Sequence, residues 1–151
     1  MKRELFREGP IRHIRKKDIK QSFDNRLKSI NRLELRDFYD HNRDTRHIFV
    51  YDFGGKIICV LAFDDKGNHF YLNLIENNEI YEKECDEINP APKLIRFIEN
   101  IAKSFGHTEI RLNALEQLVP YYKELGYSTT GKTEKNNDYG LLVEMQKLLS
   151  S

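Results

Sequence analysis

From Leu94 onward the apolar residues Leu94, Phe97, Ile98, Ile101, Ala102 and Phe105 recur at steps of three and four, the period of one buried helical face. Pro92 suits the first turn of that helix and Gly106 its C-terminal stop. The period then changes to two. Thr108 to Leu112 alternates as a strand does, Asn113 follows, and Leu115, Leu118, Tyr122 and Leu125 predict a second, short amphipathic helix ending at Gly126. Helix, strand and helix with so little chain between them imply a helix packed on a sheet and a parallel-type return.

Upstream, His47–Phe53 and Lys56–Phe63 are rich in branched and aromatic residues, and Gly54-Gly55 between them is a two-residue hairpin signal. Asp64 to Asn68 predicts a second turn and His69 to Ile75 a third antiparallel strand. Pro10 to Arg15 predicts a short first strand, followed by a helical region from Lys17 to about Tyr39 and a polar connection from Asp40 to Arg46. Near the end, Tyr139 to Met145 reads as a last strand and Thr129 to Asp138 as a polar loop.

Composition narrows the class. With 151 residues, 39% apolar and 32% charged, one folded domain spanning residues 1–151 accounts for the chain, and no internal repeat or linker divides it. Nine Phe and eight Tyr supply the bulky core material in the absence of Trp. Cys59 and Cys85 have neither disulfide-framework nor metal-ligand spacing, so no metal is expected and a reducing, cytoplasmic setting fits best. No apolar signal core opens the sequence and no run of eighteen apolar residues occurs, so no membrane partner is expected.

The net charge of +1 conceals an asymmetry. Residues 1–36 hold twelve Lys and Arg against five acids, whereas residues 76–87 hold Glu76, Glu79, Glu82, Glu84, Asp86 and Glu87 against Lys83. The basic segment lacks the interleaved aromatics that stack nucleic-acid bases, so a solvated helix face is favoured over nucleic-acid binding. The acidic stretch either lines a cleft for a cationic ligand or keeps a loop soluble.

Asn113-Ala114 together with Tyr121-Tyr122-Lys123-Glu124-Leu125-Gly126-Tyr127 resembles the GNAT superfamily of acetyl-CoA-dependent N-acetyltransferases. The resemblance covers the C-terminal half by motif and the N-terminal half by element order. It implies an α+β single domain, with a mixed, mostly antiparallel sheet of six to seven strands flanked by helices. It also implies a V-shaped splay between that fold's fourth and fifth strands, here about residues 69–76 and 108–113, in which the pantetheine arm of acetyl-CoA or another acyl-CoA lies.

Acyl transfer from a thioester to an amine needs a neutral amine, a polarised carbonyl and a proton for the departing thiolate. The resemblance puts Tyr122, four residues before Gly126, in the place of the family's general acid, with Tyr121 next in line if the register shifts by one. The bland reading of Tyr122 is a core aromatic on the stripe of Leu118 and Leu125. Asn113 resembles the asparagine that bonds the cofactor arm, and as a residue before a helix it is equally a good N-cap. Glu76 and Glu79 are the carboxylates nearest the expected slot and the candidate bases, with surface glutamate as their bland alternative; His69 and Asn73 are weaker candidates on the same strand. The other four histidines have no partner pattern.

One segment departs from the family. Its pyrophosphate motif, Gln or Arg, two residues, Gly, one residue, Gly or Ala, falls here on Asp86-Glu87-Ile88-Asn89-Pro90-Ala91, where only Ala91 matches. Asn89 replaces the first glycine, Pro90 removes a donor, and Lys93 is a candidate to pair with a phosphate in compensation. Two readings follow: an acyl-CoA-dependent N-acyltransferase acting on a primary amine, small molecule or protein, with a cationic acceptor favoured; or a silent module of the same fold that binds a protein or peptide. A basic nucleic-acid accessory protein ranks behind both, and a homodimer is compatible with either.

Overall fold

The computed structural model describes residues 7–24 and 35–150. Eight strands form one sheet in the order β1-β2-β3-β4-β5-β6-β8-β7. They are β1 (Arg7–Glu8), β2 (Ile11–His13), β3 (His47–Phe53), β4 (Lys56–Asp65), β5 (His69–Asn77), β6 (Glu109–Leu115), β7 (Ser128–Asn136) and β8 (Gly140–Leu148). Every neighbouring pair is antiparallel except β5 with β6. Helix α1 (Leu35–Asn42) covers one face, and α2 (Glu82–Ile88), α3 (Pro90–Ser104) and α4 (Val119–Glu124) belong to the other.

The two faces of the central strands feed two cores. In β4, Cys59, Leu61 and Phe63 point to the α3 layer, where they join Phe49, Phe70, Leu94, Ile98 and Ile110. Val60 and Ala62 point the other way, to Leu35, Ile48 and Val50. A strand buried on both sides reads as a continuous apolar run, as Ile57 to Phe63 does. The Gly54-Gly55 hairpin forms as predicted, with both glycines at positive φ.

The parallel pair is short. His69–Leu72 lie opposite Glu109–Leu112, and pairing stops there. At that point β5 carries a bulge: Ala62 faces Leu74 and Phe63 faces Leu72, leaving Asn73 as the extra residue. The bulge re-phases the alternation, so that Leu72 before it and Ile75 after it both serve the α3-side core. β6 is paired with β8 along its whole length and keeps that pairing beyond the bulge, Asn113 with Glu144 and Leu115 with Leu142. The V-shaped splay therefore opens between β5 and β6 where the sequence places it.

Several boundaries differ from expectation. Asn113 sits inside β6 rather than before a helix, because β8 extends the strand to Leu115; the N-cap reading of Asn113 is thereby removed. The second helix begins only at Val119, after a 310 turn at Glu116–Leu118, so Leu115 belongs to the strand. Thr129 to Asp138 is strand β7 to Asn136 and then a turn. An edge strand pairs on one side only and needs no apolar run, which is why its polar sequence hid it. The sheet thus has eight strands, not six or seven. Of the predicted helical region 17–39, Lys16–Lys20 is a 310 turn, residues 25–34 lie outside the described residues, and α1 runs on to Asn42.

Candidate functional site at the splay

Two cavities meet where β5 and β6 part. One, of about 540 Å³, opens on the α3 side and is lined by Ile75, Asn77, Glu79, Asp86, Asn89, Ala91, Gln117 and Tyr121 among others. The second, of about 430 Å³, is lined by Arg46, Tyr71, Asn73, Asn113, Tyr139 and Leu142. Ile75, Glu76, Leu115, Leu118 and Tyr122 line both. These five residues form a shared wall, the neck between the two cavities.

Tyr122 is buried at 6% exposure, held edge-on against Tyr121 (centroids 5.2 Å apart) and Tyr127 (6.0 Å). Burial, then the neighbouring Tyr121 and the Glu76 carboxylate, hold its phenol well above the ordinary value, so it remains a protonated O–H donor across physiological pH. Its hydroxyl has no hydrogen-bond partner among the described residues. Gly126, at φ 97°, ends α4 and brings the chain back so that the Tyr127 N–H donates to the Tyr122 carbonyl at 3.0 Å. Tyr121 is half-buried and faces only the α3-side cavity. Of the two adjacent tyrosines, Tyr122 is the one that lines both cavities.

Of the two candidate bases, Glu76 lies at the neck, whereas Glu79 lines the α3-side cavity alone. Asn113 is exposed on β6 and lines the cavity opposite the α3 helix terminus, together with Asn73. Asn89 and Ala91 line the α3-side cavity. Lys93 does not: one half-turn past Ala91, it lines a separate cavity with Arg96, Pro10 and Tyr51. His69 stands at the start of β5, beside Asn68 and Arg111, away from the neck.

The segment expected as a phosphate loop is largely helix. Residues 82–88 form α2, Asn89 alone bridges in the left-handed region (φ 54°, ψ 65°), and α3 begins at Pro90. Asparagine tolerates that conformation where other side chains rarely do. Apart from Glu76, which lines both cavities, the acidic run 76–87 meets only the α3-side cavity, through Glu79 and Asp86.

The second cavity has its own electrostatics. Tyr71 is held above the ordinary phenol value first by burial and next by the carboxylates of Glu144 and Glu134. Arg46 is engaged, donating to Asn42 Oδ1 at 2.7 Å and lying 3.4 Å from Asp64. Asn73 Oδ1 is buried without a hydrogen-bond partner on this wall. Sequence reasoning passed over Tyr71, Tyr139 and Asn77; their only signal was position, Tyr71 and Asn77 on β5 and Tyr139 in the turn before β8. Among the described residues no group of His, Cys, Asp and Glu could hold a metal, and no helix is long and apolar enough to cross a membrane.

A family model described as an acetyltransferase (GNAT) domain matches residues 18–149. No curated protein sequence matches the chain. Among solved structures, Ard1 from Thermoplasma volcanium superposes with a TM-score of 0.70 at 14% identity, covering 93% of this chain and 97% of that one. The ribosomal-protein-S18-alanine N-acetyltransferase from Escherichia coli gives 0.71 at 12%, with 93% and 94% covered. A GNAT family acetyltransferase from Elizabethkingia anophelis with acetyl-CoA bound gives 0.59 at 10%, with 76% and 83% covered. At such identities the structural likeness speaks for the fold.

Proposed function

The chain belongs to the acetyltransferase (GNAT) family, and from that premise we propose that it transfers an acyl group from an acyl-CoA directly to a primary amine carrying positive charge. The observation that carries this reading is the shared neck, where a protonated tyrosine and a carboxylate line both cavities at once. A donor entering from the α3 side and an acceptor entering from the other would meet between Glu76 and Tyr122. The bound thioester would supply the activated acyl group.

Ile75, Leu115, Leu118 and Tyr121 give the donor's arm an apolar bed, and β5 past Leu72 keeps its backbone unpaired on the β6 side, where amides of that arm can bond. The diphosphate half finds a poorer fit at the start of α3, where Pro90 and Pro92 lack an N–H. Glu76 takes the proton that an ammonium must lose before its nitrogen bonds the acyl carbon, directly or through water. Tyr122 donates toward the sulfur that leaves as the carbon–sulfur bond breaks, and solvent from the cavity restores its proton. Glu134 and Glu144 beside Tyr71 favour a cationic body on the acceptor.

The test is acetyl-CoA-dependent thiol release by the purified protein across a panel of amines. Diamines and lysine-like acceptors should be turned over and acidic amines should not. A silent module of the same fold is the second reading, favoured by the altered start of α3. Absence of turnover together with absence of acetyl-CoA binding in calorimetry would select it.

A further inference from the structure

We infer that this chain recognises its thioester donor through the pantetheine arm alone, so that acyl-pantetheine thioesters lacking the nucleotide serve it nearly as well as acyl-CoA. This rests on the transferase reading above and specifies its donor. A helix N-terminus holds a diphosphate with the N–H groups that its first turn leaves unpaired. In α3 that supply is almost gone. The Asn89 N–H donates to the Cys85 carbonyl at 2.8 Å, completing α2. Pro90 and Pro92 have no N–H, and the Lys93 N–H is the first to reach back four residues, to Asn89. Ala91 alone remains.

Charge works in the same direction. The α3-side cavity is lined by the Asp86 carboxylate and, among the described residues, by no Lys or Arg. The C-terminal end of α2, at Ile88, abuts the start of α3, so the partial negative charge of one helix end offsets the partial positive charge of the other. Lys93 and Arg96 belong to the wall of another cavity.

The arm, by contrast, is well provided. Besides the apolar bed and the open edge of β5, Asn77 Oδ1 is buried on this wall without a hydrogen-bond partner. A pantetheine arm carries two amide N–H groups and a hydroxyl, any of which satisfies it. The donor site is therefore complete for the arm and depleted for the diphosphate.

The experiment compares kcat/KM for acetyl-CoA, S-acetylpantetheine and the same arm attached to a carrier-protein serine, with calorimetry of CoA, pantetheine and adenosine 3′,5′-bisphosphate. Efficiency of either nucleotide-free donor within about threefold of acetyl-CoA, with no binding of the bisphosphate at about millimolar concentration, is the expected result. A preference of about 100-fold or more for acetyl-CoA over both overturns the inference while leaving the transferase reading intact. Binding of neither CoA nor pantetheine overturns both. Restoring one donor with Pro92→Ala should tighten CoA about tenfold and leave pantetheine unchanged; an unaltered CoA affinity would remove the missing N–H groups as the cause, and the inference with them.

Discussion

Tyr122 and Tyr127 offer a crossed test of what each hydroxyl does, because the two rings sit 6.0 Å apart in one cluster and are both buried. The Tyr127 hydroxyl donates to Glu99 Oε2 at 2.9 Å, and Lys147 Nζ donates to Glu99 Oε1 at 2.9 Å. Removing the Tyr127 hydroxyl leaves one oxygen of a buried carboxylate without its partner. Tyr127→Phe should therefore destabilise by about 2 kcal/mol and, at about 2 to 4 °C per kcal/mol for a chain of this size, lower Tm by roughly 4 to 8 °C. Turnover should stay within about twofold, since this network does not line the neck. Tyr122→Phe reverses the pattern. Its hydroxyl has no partner among the described residues, so stability should change by less than about 0.5 kcal/mol. Loss of the proton donor should lower kcat about 100-fold, which is about 2.7 kcal/mol of transition-state stabilisation. Calorimetric melting and thiol release with acetyl-CoA and a diamine read both axes. Equal turnover in the wild type and Tyr122→Phe would refute the assignment and return Tyr122 to the core aromatics; a large drop in Tm would do the same.

Glu76→Gln should lower kcat/KM about 100-fold at neutral pH and recover most of the loss near about pH 10, where an alkylamine deprotonates without help; a deficit independent of pH would exclude the base role. Asp18 is pushed up by burial, but two hydrogen bonds from Arg12 and one from the Arg15 N–H more than offset this and hold it below the ordinary carboxylate value. That pairing stabilises the fold fully above about pH 4 and is lost as pH falls through the depressed value, so Asp18→Asn should cost about 3 kcal/mol at neutral pH and flatten the acid limb of a denaturation series. An unchanged acid limb would refute it. Cys85 lines the α3-side cavity, yet burial pushes its thiol up to about 11, and burial likewise holds the Cys59 thiol well above its ordinary value. Neither thiol should react with a maleimide at about pH 7.5 unless the protein unfolds, and fast labelling of the native protein would contradict this.

The fold was legible wherever one residue pattern had one structural solution. The helix from Leu94 follows from burial on one face, the hairpin from the Gly54-Gly55 turn between two apolar runs, and β5 from the turn at Asp64 to Asn68 that precedes it, and the structure contains all three. Tyr122 was legible in its register relative to Gly126, because the cap at Gly126 fixes which aromatic turns inward. Strand β7 was not, since an exposed edge strand carries no burial signal and takes its identity from β8. Asn113 misled for a related reason: its strand continues only because Glu144 lies opposite, and a pairing across thirty residues leaves no local trace. The bulge at Asn73, where the splay starts, is likewise visible only in the pairing of β5 with β4.

The start of α3 shows why likeness of scaffold leaves the donor undecided. The arm's bed is made by backbone: an interrupted parallel pair, a bulge and an exposed strand edge, features that almost any sequence compatible with the sheet will reproduce. A diphosphate cradle is made by the count of free N–H groups in one turn, and single substitutions change that count. Two prolines and an asparagine that closes the preceding helix suffice to reduce it to Ala91 while α3 keeps its length and its packing on β4 and β5. Pro90 is itself buried, and prolines at the first and third positions favour the helix they begin. The same residues thus strengthen the scaffold and deplete its anion site, so this chain can hold the family's fold closely while reading a smaller part of the family's donor.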